Sequence, residues 1–479
     1  MDRVLMLMAV QGAMGAFDTL YHHELTEHLT WRPDAAREIA IHGVRNLLYA
    51  PLFFALAWVE WHGAWAVLLA AIMTAELVLT LIDFVVEDRT RDLPPSERVT
   101  HTLLAINYGA VLAAFAPELF HWARLPLSVM PGGHGPLSWI ATAFGAGVLL
   151  WGLRDLARAR SLDASEHALP APALAAMLQG RLSILVTGGT GFIGSRLCAI
   201  LAEAGHRVTV LTRDPRRGRP FRGRVTLIDN LATLGRDTPF DAVINLAGEP
   251  IAAGPWTTPR RRVLIDSRVE TTRAVVRFIA RAKHKPAVLV SGSAVGFYGV
   301  DDEAEFTEGS PGRPAFTHEL CAAWEEAALA AQAHGVRVCL LRTGIVLGAE
   351  GGALARMLLP FELGLGGRVG SGRQWMSWIH RDDLVGLIIH AIAVETVRGP
   401  LNGTAPEPVR NADFAKALGR ALHRPALLPV PAFALRLALG RLADEVLLGG
   451  QRVVPKKAEE TGYQFLYPTL AEALGKIVE

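Results

Sequence analysis

Cysteine is scarce: the 479 residues hold three, Cys198, Cys321 and Cys339, and none falls in the first 190 positions. No two have a Cys-x-x-Cys spacing, which excludes a disulfide framework and a thiolate metal site and fits a reducing setting. Net charge is nearly absent, with 48 Lys and Arg against 46 Asp and Glu. There is no basic tract interleaved with aromatics and no zinc-finger spacing, so nucleic acid is not an expected partner. Internal repeats and low-complexity tracts are missing too, which leaves out a solenoid. The length calls for two or three domains.

Apolar sequence is what the chain has in excess. Hydrophobic residues make up 51% and mean hydropathy is +0.27, with the surplus concentrated at the N-terminal end. Runs at 4–20, 44–61, 63–86, 102–122 and 137–153 each approach the ~20 residues that span a bilayer. Buried helices of a soluble bundle are the other reading, but Trp65 to Leu81 is unusually apolar for that. The first run has no small-residue cleavage site and is followed by Asp18 and Tyr21-His22-His23, so it reads as a retained helix, not a signal peptide. Arg32, Arg37 and Arg45, then Arg89, Arg91 and Arg98, then Arg154, Arg158 and Arg160 lie on one side; Arg3 and Arg124 lie on the other. The positive-inside rule assigns the richer side, and all that follows, to the cytoplasm of a bacterial-type inner membrane, with the N-terminus outside. Residues 1–155 are therefore expected to be an all-α transmembrane bundle of about five spans, with the lipid bilayer as partner.

Residues 156–180 turn to Ala, Pro, Leu and Arg, including Pro170-Ala171-Pro172, and read as a linker, or as a short interfacial helix plus a linker. From Arg181 strands alternate with helices, the pattern of a doubly wound parallel α/β sheet. Strands are expected at Leu182–Thr187, Arg207–Thr212, Ala242–Leu246, Ala287–Ser291 and Val336–Arg342, and a helix at Ser195–Ala204. The Rossmann domain should occupy 181–424 and a small helical segment 425–479.

The first of these strands runs into Gly188-Gly189-Thr190-Gly191-Phe192-Ile193-Gly194 and then a helix. Gly188 serves the tight turn, Gly191 the approach of backbone to pyrophosphate, and Gly194 the close packing of helix on strand. The phosphates would sit on the helix N-terminus. About 20 residues on, where an NAD-selective site places an acidic residue, stands Thr212-Arg213. A guanidinium there suits the 2′-phosphate of NADP(H). A solvated turn residue beside Asp214 is the alternative.

These residues, with Asn245-Leu246-Ala247-Gly248-Glu249-Pro250, Ser267-Arg268 and Ser291-Gly292-Ser293-Ala294, resemble the NAD-dependent epimerase/dehydratase group of extended short-chain dehydrogenases. A narrower resemblance, to the oxidoreductases related to epimerase-family member 39U, rests on Leu341–Gly348, Pro360–Gly372 with Gly364-Leu365-Gly366-Gly367, Trp378-Ile379-His380 with Asp382-Asp383, and Gly449-Gly450-Gln451-Arg452. It covers about Arg181 to the C-terminus. The resemblance implies an NADP(H) site involving Gly188, Thr190, Gly191, Phe192, Ile193, Gly194, Thr212, Arg213, Leu246, Ala247, Arg268 and Val346.

Short-chain dehydrogenases protonate the substrate oxygen with a tyrosine whose pKa is lowered by a lysine four residues on, and orient the substrate with a serine. Ser293 stands where the family pattern has that serine. The Tyr–Lys helix should begin at Phe316-Thr317-His318-Glu319-Leu320-Cys321. One register puts Thr317 and Cys321 at the two positions, the other Phe316 and Leu320, and neither supplies the pair. Tyr298, five residues past Ser293, or His318 is the candidate substitute acid; the other reading is that Tyr298 packs in the loop and His318 is solvated. Arg373, Trp375 and His380 lie where extended members shape the substrate pocket; Trp378 and His380 read equally as core or surface residues of that loop.

The bundle carries an unusual load of ionisable residues, which are costly in a membrane and mark function. Glu76, Asp83 and Glu87 share one face of the third helix. Glu24 with His28, Glu38 with His42, and Glu97 with His101 are each spaced i, i+4, and Asp18, His22 and His23 add to them. His42, Glu76, Asp83, Glu87 and His101 are the candidate ligands for iron, manganese or zinc. The competing reading is an ion-pair network with Arg45, Arg89, Arg91 and Arg98.

Three functions remain open from the sequence: a membrane-tethered NADP(H)-dependent oxidoreductase or epimerase acting on a small lipophilic molecule, an NADP(H) sensor coupled to the membrane part, or a redox device passing electrons to a metal.

Overall fold

A computed structural model describes residues 1–90, 93–165, 174–215 and 225–479. Two compact units result, Met1–Leu169 and Pro170–Glu479.

The first unit is built from α1 (Asp2–Phe17), which continues as a π-helical segment over Asp18–Thr26, and from α2 (Ala36–Trp58), α3 (Ala64–Thr90), α4 (Pro95–Ala123) and α5 (Pro136–Ser165). These five helices are long and apolar enough to cross a membrane. They outrun the apolar windows because their polar ends are helical too. α4, for example, starts at Pro95, a residue suited to the first helical turn, and carries Glu97 and His101 inward. Leu5, Leu52, Phe53, Leu56, Phe115 and Trp122 form the apolar core. At one end Val59–His62 pairs antiparallel with Ser128–Pro131, and Asp2 accepts a hydrogen bond from His134 at 2.8 Å. The opposite end holds the His22–Ser96 contact and the Arg154–Glu24 ion pair. This alternation of ends is that of an up-and-down bundle with an odd number of helices.

The linker expected over 156–180 is shorter than that. Residues 156–165 complete α5, and Leu174, Ala175 and Leu178 are buried in the core of the second unit. Apolar side chains spaced along Ala-rich sequence found helical and core partners there. Arg91 and Pro170-Ala171-Pro172 lie outside the described residues.

The second unit centres on a seven-stranded parallel sheet of β1 (Ser183–Thr187), β2 (Arg207–Leu211), β3 (Val225–Ile228), β4 (Ala242–Asn245), β5 (Val288–Ala294), β6 (Arg337–Thr343) and β7 (Gly399–Gly403). Their spatial order is β7-β6-β5-β4-β1-β2-β3, so the direction of winding reverses between β1 and β4. This is a Rossmann-type fold, and the crevice at that reversal, beyond the strand C-termini, is where such sheets bind ligands. Buried Ile184, Val186, Val210, Ile244 and Val290 line one face and Leu185, Val243, Leu289, Val338 and Leu340 the other, so the strands are apolar on both faces, as a sheet covered on both sides requires. The helices that matter for the site are α6 (Phe192–Glu203), α7 (Thr258–Arg281), α8 (Phe316–Leu329), α9 (Gly352–Glu362) and α10 (Arg381–Ala393). The last stretch is helical in short pieces, Ala432–Leu439, Lys456–Glu460 and Leu470–Val478, and adds a strand, Arg452–Val453, parallel to Glu305–Phe306.

Candidate functional site

The loop from β1 to α6 has the geometry its glycines predict. Gly188 has φ +72°, and a Cβ there would lie 2.8 Å from the backbone of Leu246 and Ala247. A Cβ on Gly194 would stand 2.2 Å from the Gly188 carbonyl oxygen, so α6 can approach β1 only with glycine at this position. Thr190 and Gly191 form the exposed tip, with Phe192 and Ile193 half-buried behind it. Gly191 caps α6 without a side-chain hydrogen bond, and the first turn has no acidic residue. The helix N-terminus thus keeps its N–H groups and positive dipole end for an anion.

Around this loop the β4 terminus is held by the Thr187 hydroxyl, which donates to Asn245 Oδ1 at 2.7 Å and accepts from the Ala247 N–H at 3.2 Å. Leu246 and Ala247 are half-buried beside the glycines. Arg268 reaches back from α7 to donate to the carbonyls of Leu264 and Glu249, both at 2.9 Å, and lies over the Trp324 ring. Burial pulls its guanidinium below the usual arginine range, and its Nε has no hydrogen-bond partner. Arg213, just past β2, is different: its side chain is 96% exposed, with Glu249 at 3.7 Å. Thr212 continues the β2 edge, its N–H donating to Ile228. Val346 lies on a short strand, Ile345–Leu347, parallel to Trp378–His380. The loop after it folds over Phe192, where Cβ atoms on Gly348 or Gly351 would meet the ring at 2.7 Å. Glu350 on this loop pairs with Arg381 at 2.7 Å, and Arg196 of α6 pairs with Asp382 at 2.8 and 2.9 Å. α6, α10 and the 348–352 loop are thereby tied together.

The region expected to hold the acid is organised otherwise. Ser293 Oγ donates to Glu325 at 2.6 Å, and Arg342 grips both oxygens of the same carboxylate at 2.8 and 2.9 Å. Arg342 also donates to the Tyr298 hydroxyl at 3.0 Å, which in turn donates to Asn402 at 2.7 Å. Tyr298 is 0% exposed, and burial raises its pKa. With its hydroxyl held between Arg342 and Asn402, this phenol is better read as a structural residue. Thr317 packs on Gly296, and Cys321 lies against Ser293 and Ala294, which fits the register that puts Thr317 and Cys321 at the Tyr and Lys positions. Burial pushes the Cys321 thiol up to about 11, so a neutral group stands where a cation would lower a phenol's pKa. His318 Nδ1 is bonded to the Phe297 carbonyl at 2.6 Å.

The pocket-shaping trio is largely structural. The Trp375 indole donates to Asp302 beneath Arg410, the Arg373 carbonyl accepts from Arg410, and His380 caps α10 by accepting from the Asp382 N–H. Burial lowers His380 to about 4. Glu325, Arg342 and Asn402 escaped notice in the sequence. The available signal was Arg342 itself, a charge at the end of the apolar run Val338–Leu341 that demands a buried partner.

In the first unit, Glu76 is drawn off by Arg45 at 3.3 Å and by Thr80 at 2.7 Å, and Asp83 by Arg45 at 2.6 Å and His42 at 3.0 Å. Glu76 lies two turns before Asp83 on α3 and is not one of the residues grouped closely enough to share an ion. The groups that are close enough are Asp18, His23, Glu97 and His101, and His23, His42 and Glu87.

Residues 184–400 match the NAD dependent epimerase/dehydratase family, and residues 430–477 match a domain of unknown function, DUF1731. Human epimerase family protein SDR39U1 is 42% identical over 300 residues, covering 62% of this chain and 100% of that protein. YfhF of Bacillus subtilis is 39% identical over 302 residues, covering 62% of this chain and 98% of its own. The crystal structure of human SDR39U1 with NADPH superposes with a TM-score of 0.57 and 39% identity, covering 62% of this chain and 99% of that one.

Proposed function

The chain belongs to the NAD-dependent epimerase/dehydratase family, as in SDR39U1 and YfhF, and from that premise we propose that it is a membrane-tethered NADP(H)-dependent oxidoreductase or epimerase acting on a lipophilic small molecule. The carrying observation is the exposed Arg213 past β2, beside a glycine loop that opens onto an uncapped helix N-terminus. Gly188, Thr190, Gly191 and the first turn of α6 would hold the phosphates, and Arg213 the 2′-phosphate. Thr212, Leu246 and Ala247 would flank the adenosine half, while Phe192, Ile193 and Val346 border its other end. Bound NADP(H) supplies or accepts a hydride. The human relative crystallised with NADPH supports the choice of nucleotide, and five spanning-length helices on the same chain support the tether. Fluorescence titration of the full chain should show tighter binding of NADPH than NADH, with Arg213→Asp narrowing or reversing the gap. Equal affinities in the wild type would sink the assignment.

A sensor without turnover is favoured by one observation: Ser293 is already bonded to Glu325, with neither tyrosine nor lysine beside it. On that reading NADPH is not oxidised with any carbonyl compound, yet it changes the protease sensitivity of the membrane loops. Turnover lost in Ser293→Ala would exclude it.

A further inference from the structure

We propose that the helical bundle binds a divalent first-row metal ion through Asp18, His23, Glu97 and His101. All four are buried, and one donor atom from each lies within 4.8 Å of the others. Asp18 Oδ2 is 3.1 Å from His101 Nε2 and 3.4 Å from His23 Nε2, and His23 Nε2 is 3.6 Å from Glu97 Oε1. Ligands held at about 2.1 Å from one ion stand roughly 3 to 4 Å apart, so these are already edges of a coordination polyhedron. His23 Nε2 makes no hydrogen bond although the residue is only 7% exposed.

The backbone is shaped for this set. Asp18 and His23 are five residues apart, a spacing that would point them apart on an α-helix. The segment Asp18–Thr26 is π-helical, closed by i→i+5 bonding such as Glu27 N–H to the His22 carbonyl, and five residues then make about one turn. Short π segments often mark functional sites. Glu97 and His101, spaced i, i+4, complete the set from one face of α4.

The supporting contacts follow the pattern of metal centres, where the second nitrogen of a ligating histidine faces a carboxylate and a ligating carboxylate is itself hydrogen-bonded. His101 Nδ1 faces Glu87 Oε2 at 3.3 Å, and His22 Nδ1 is bonded to Asp18 Oδ1 at 2.8 Å. His42 stacks on His23 with ring centroids 4.6 Å apart. Asp18, His23 and His101 line a cavity of about 580 Å³ whose other walls include Leu77, Leu81, Phe84, Phe144 and Val148, room for an apolar molecule. Two imidazoles and two carboxylates without sulfur suit iron(II), manganese(II) or zinc(II).

The full chain, purified in detergent and reconstituted separately with iron(II), manganese(II) and zinc(II), is washed with chelator and its metal measured by mass spectrometry. About one equivalent of at least one of them should remain. His23→Ala and His101→Ala should each retain less than a tenth of that, while His134→Ala, outside the cluster, matches wild type. Glu87→Gln, which leaves all four ligands, should weaken binding about 10- to 100-fold. Should the ligand variants fail to fold, cobalt(II) titration of the wild type decides. Visible ligand-field bands saturating at one equivalent, without a thiolate charge-transfer band, support the site, because every cysteine lies in the other unit. Wild type that retains under a tenth of an equivalent of every metal, ligand variants that retain as much as wild type, or cobalt(II) that gives no saturable bands, would each leave an ion-pair network and overturn the proposal.

Discussion

The two units of this chain bury charge in different ways. In the Rossmann unit Arg342 grips Glu325 and Arg196 grips Asp382, each through two bonds of 2.8 and 2.9 Å. These pairs are closed: the carboxylate is neutralised by a fork that matches its shape, and the pair fastens one element to another. In the bundle, His23, His42 and His101 share Asp18, Asp83, Glu87 and Glu97 among them, and His23 keeps a buried ring nitrogen with no hydrogen bond. Closed pairs are scaffold, whereas a shared cluster at a cavity wall has donor capacity left for a ligand. The same distinction separates Arg268, locked onto two carbonyls, from the exposed Arg213 nearby.

The largest effect should come from opening a closed pair. Glu325→Ala leaves Arg342 buried and uncompensated, which should cost about 3–5 kcal/mol, read by denaturant unfolding of the second unit's signal in the full chain. A loss below about 1 kcal/mol would mean that water replaces the carboxylate and the pair is no scaffold.

Acid should act next, on the second unit. The unfolded His380 imidazole titrates near 6.5 and the buried one at about 4, so between these values the unfolded chain binds the extra proton. Its contribution is complete above pH 6.5 and is lost as pH falls through 4, by about 3 kcal/mol in all. Burial raises Asp383 to about 6, with the opposite sign: its contribution is present below 3.8 and lost as pH rises through 6. The slope of stability against pH from 6.5 to 4, compared between wild type and His380→Gln, isolates the histidine. Identical slopes would show that His380 does not titrate in this range.

Arg213→Asp should weaken NADPH about 10- to 100-fold, the worth of a hydrogen bond to a charged group, while NADH binding holds or improves. An equal loss for both nucleotides would make Arg213 a general anchor and not a reader of the 2′-phosphate.

Glycine gives the finest contrast. Gly194→Ala puts a Cβ 2.2 Å from a carbonyl oxygen and should cost about 1–3 kcal/mol; Gly15→Ala, with nothing within 4 Å, should stabilise α1 by about 0.5–1 kcal/mol. Thermal melts of both variants test this. A destabilising Gly15→Ala would mean that the bundle packs more tightly there than its cavity indicates.

Much of this architecture was legible in one dimension. Apolar runs of spanning length located the five helices, because a helix satisfies its backbone polar groups within itself, whatever surrounds so apolar a run. Alternating apolar strands and the ordered glycines located the sheet and its loop, because Gly188 and Gly194 answer to local sterics. Strands β3 and β7 were missed. β7 is Gly-Pro-Leu-Asn-Gly, a sequence that reads as a turn and is a strand only because β6 offers it an edge. The burial of Tyr298 was hidden from the sequence for a similar reason. Tyr298 follows Ser293 closely in sequence, but the turn at Val295–Tyr298 carries it into the core toward Asn402, 104 residues away.

By itself, then, the sequence determined what depends on neighbours along the chain: helix length, strand alternation, the glycine turn, and the absence of the Tyr–Lys pair. Only the tertiary structure decided which charges meet. Arg342 with Glu325, and Asp18 with His101, are brought together across 17 and 83 residues. An i, i+4 reading of α1 pairs Asp18 with His22, and the π turn brings in His23 as well. Helical periodicity is a local property, whereas a buried charge is satisfied by whatever the packing sets beside it.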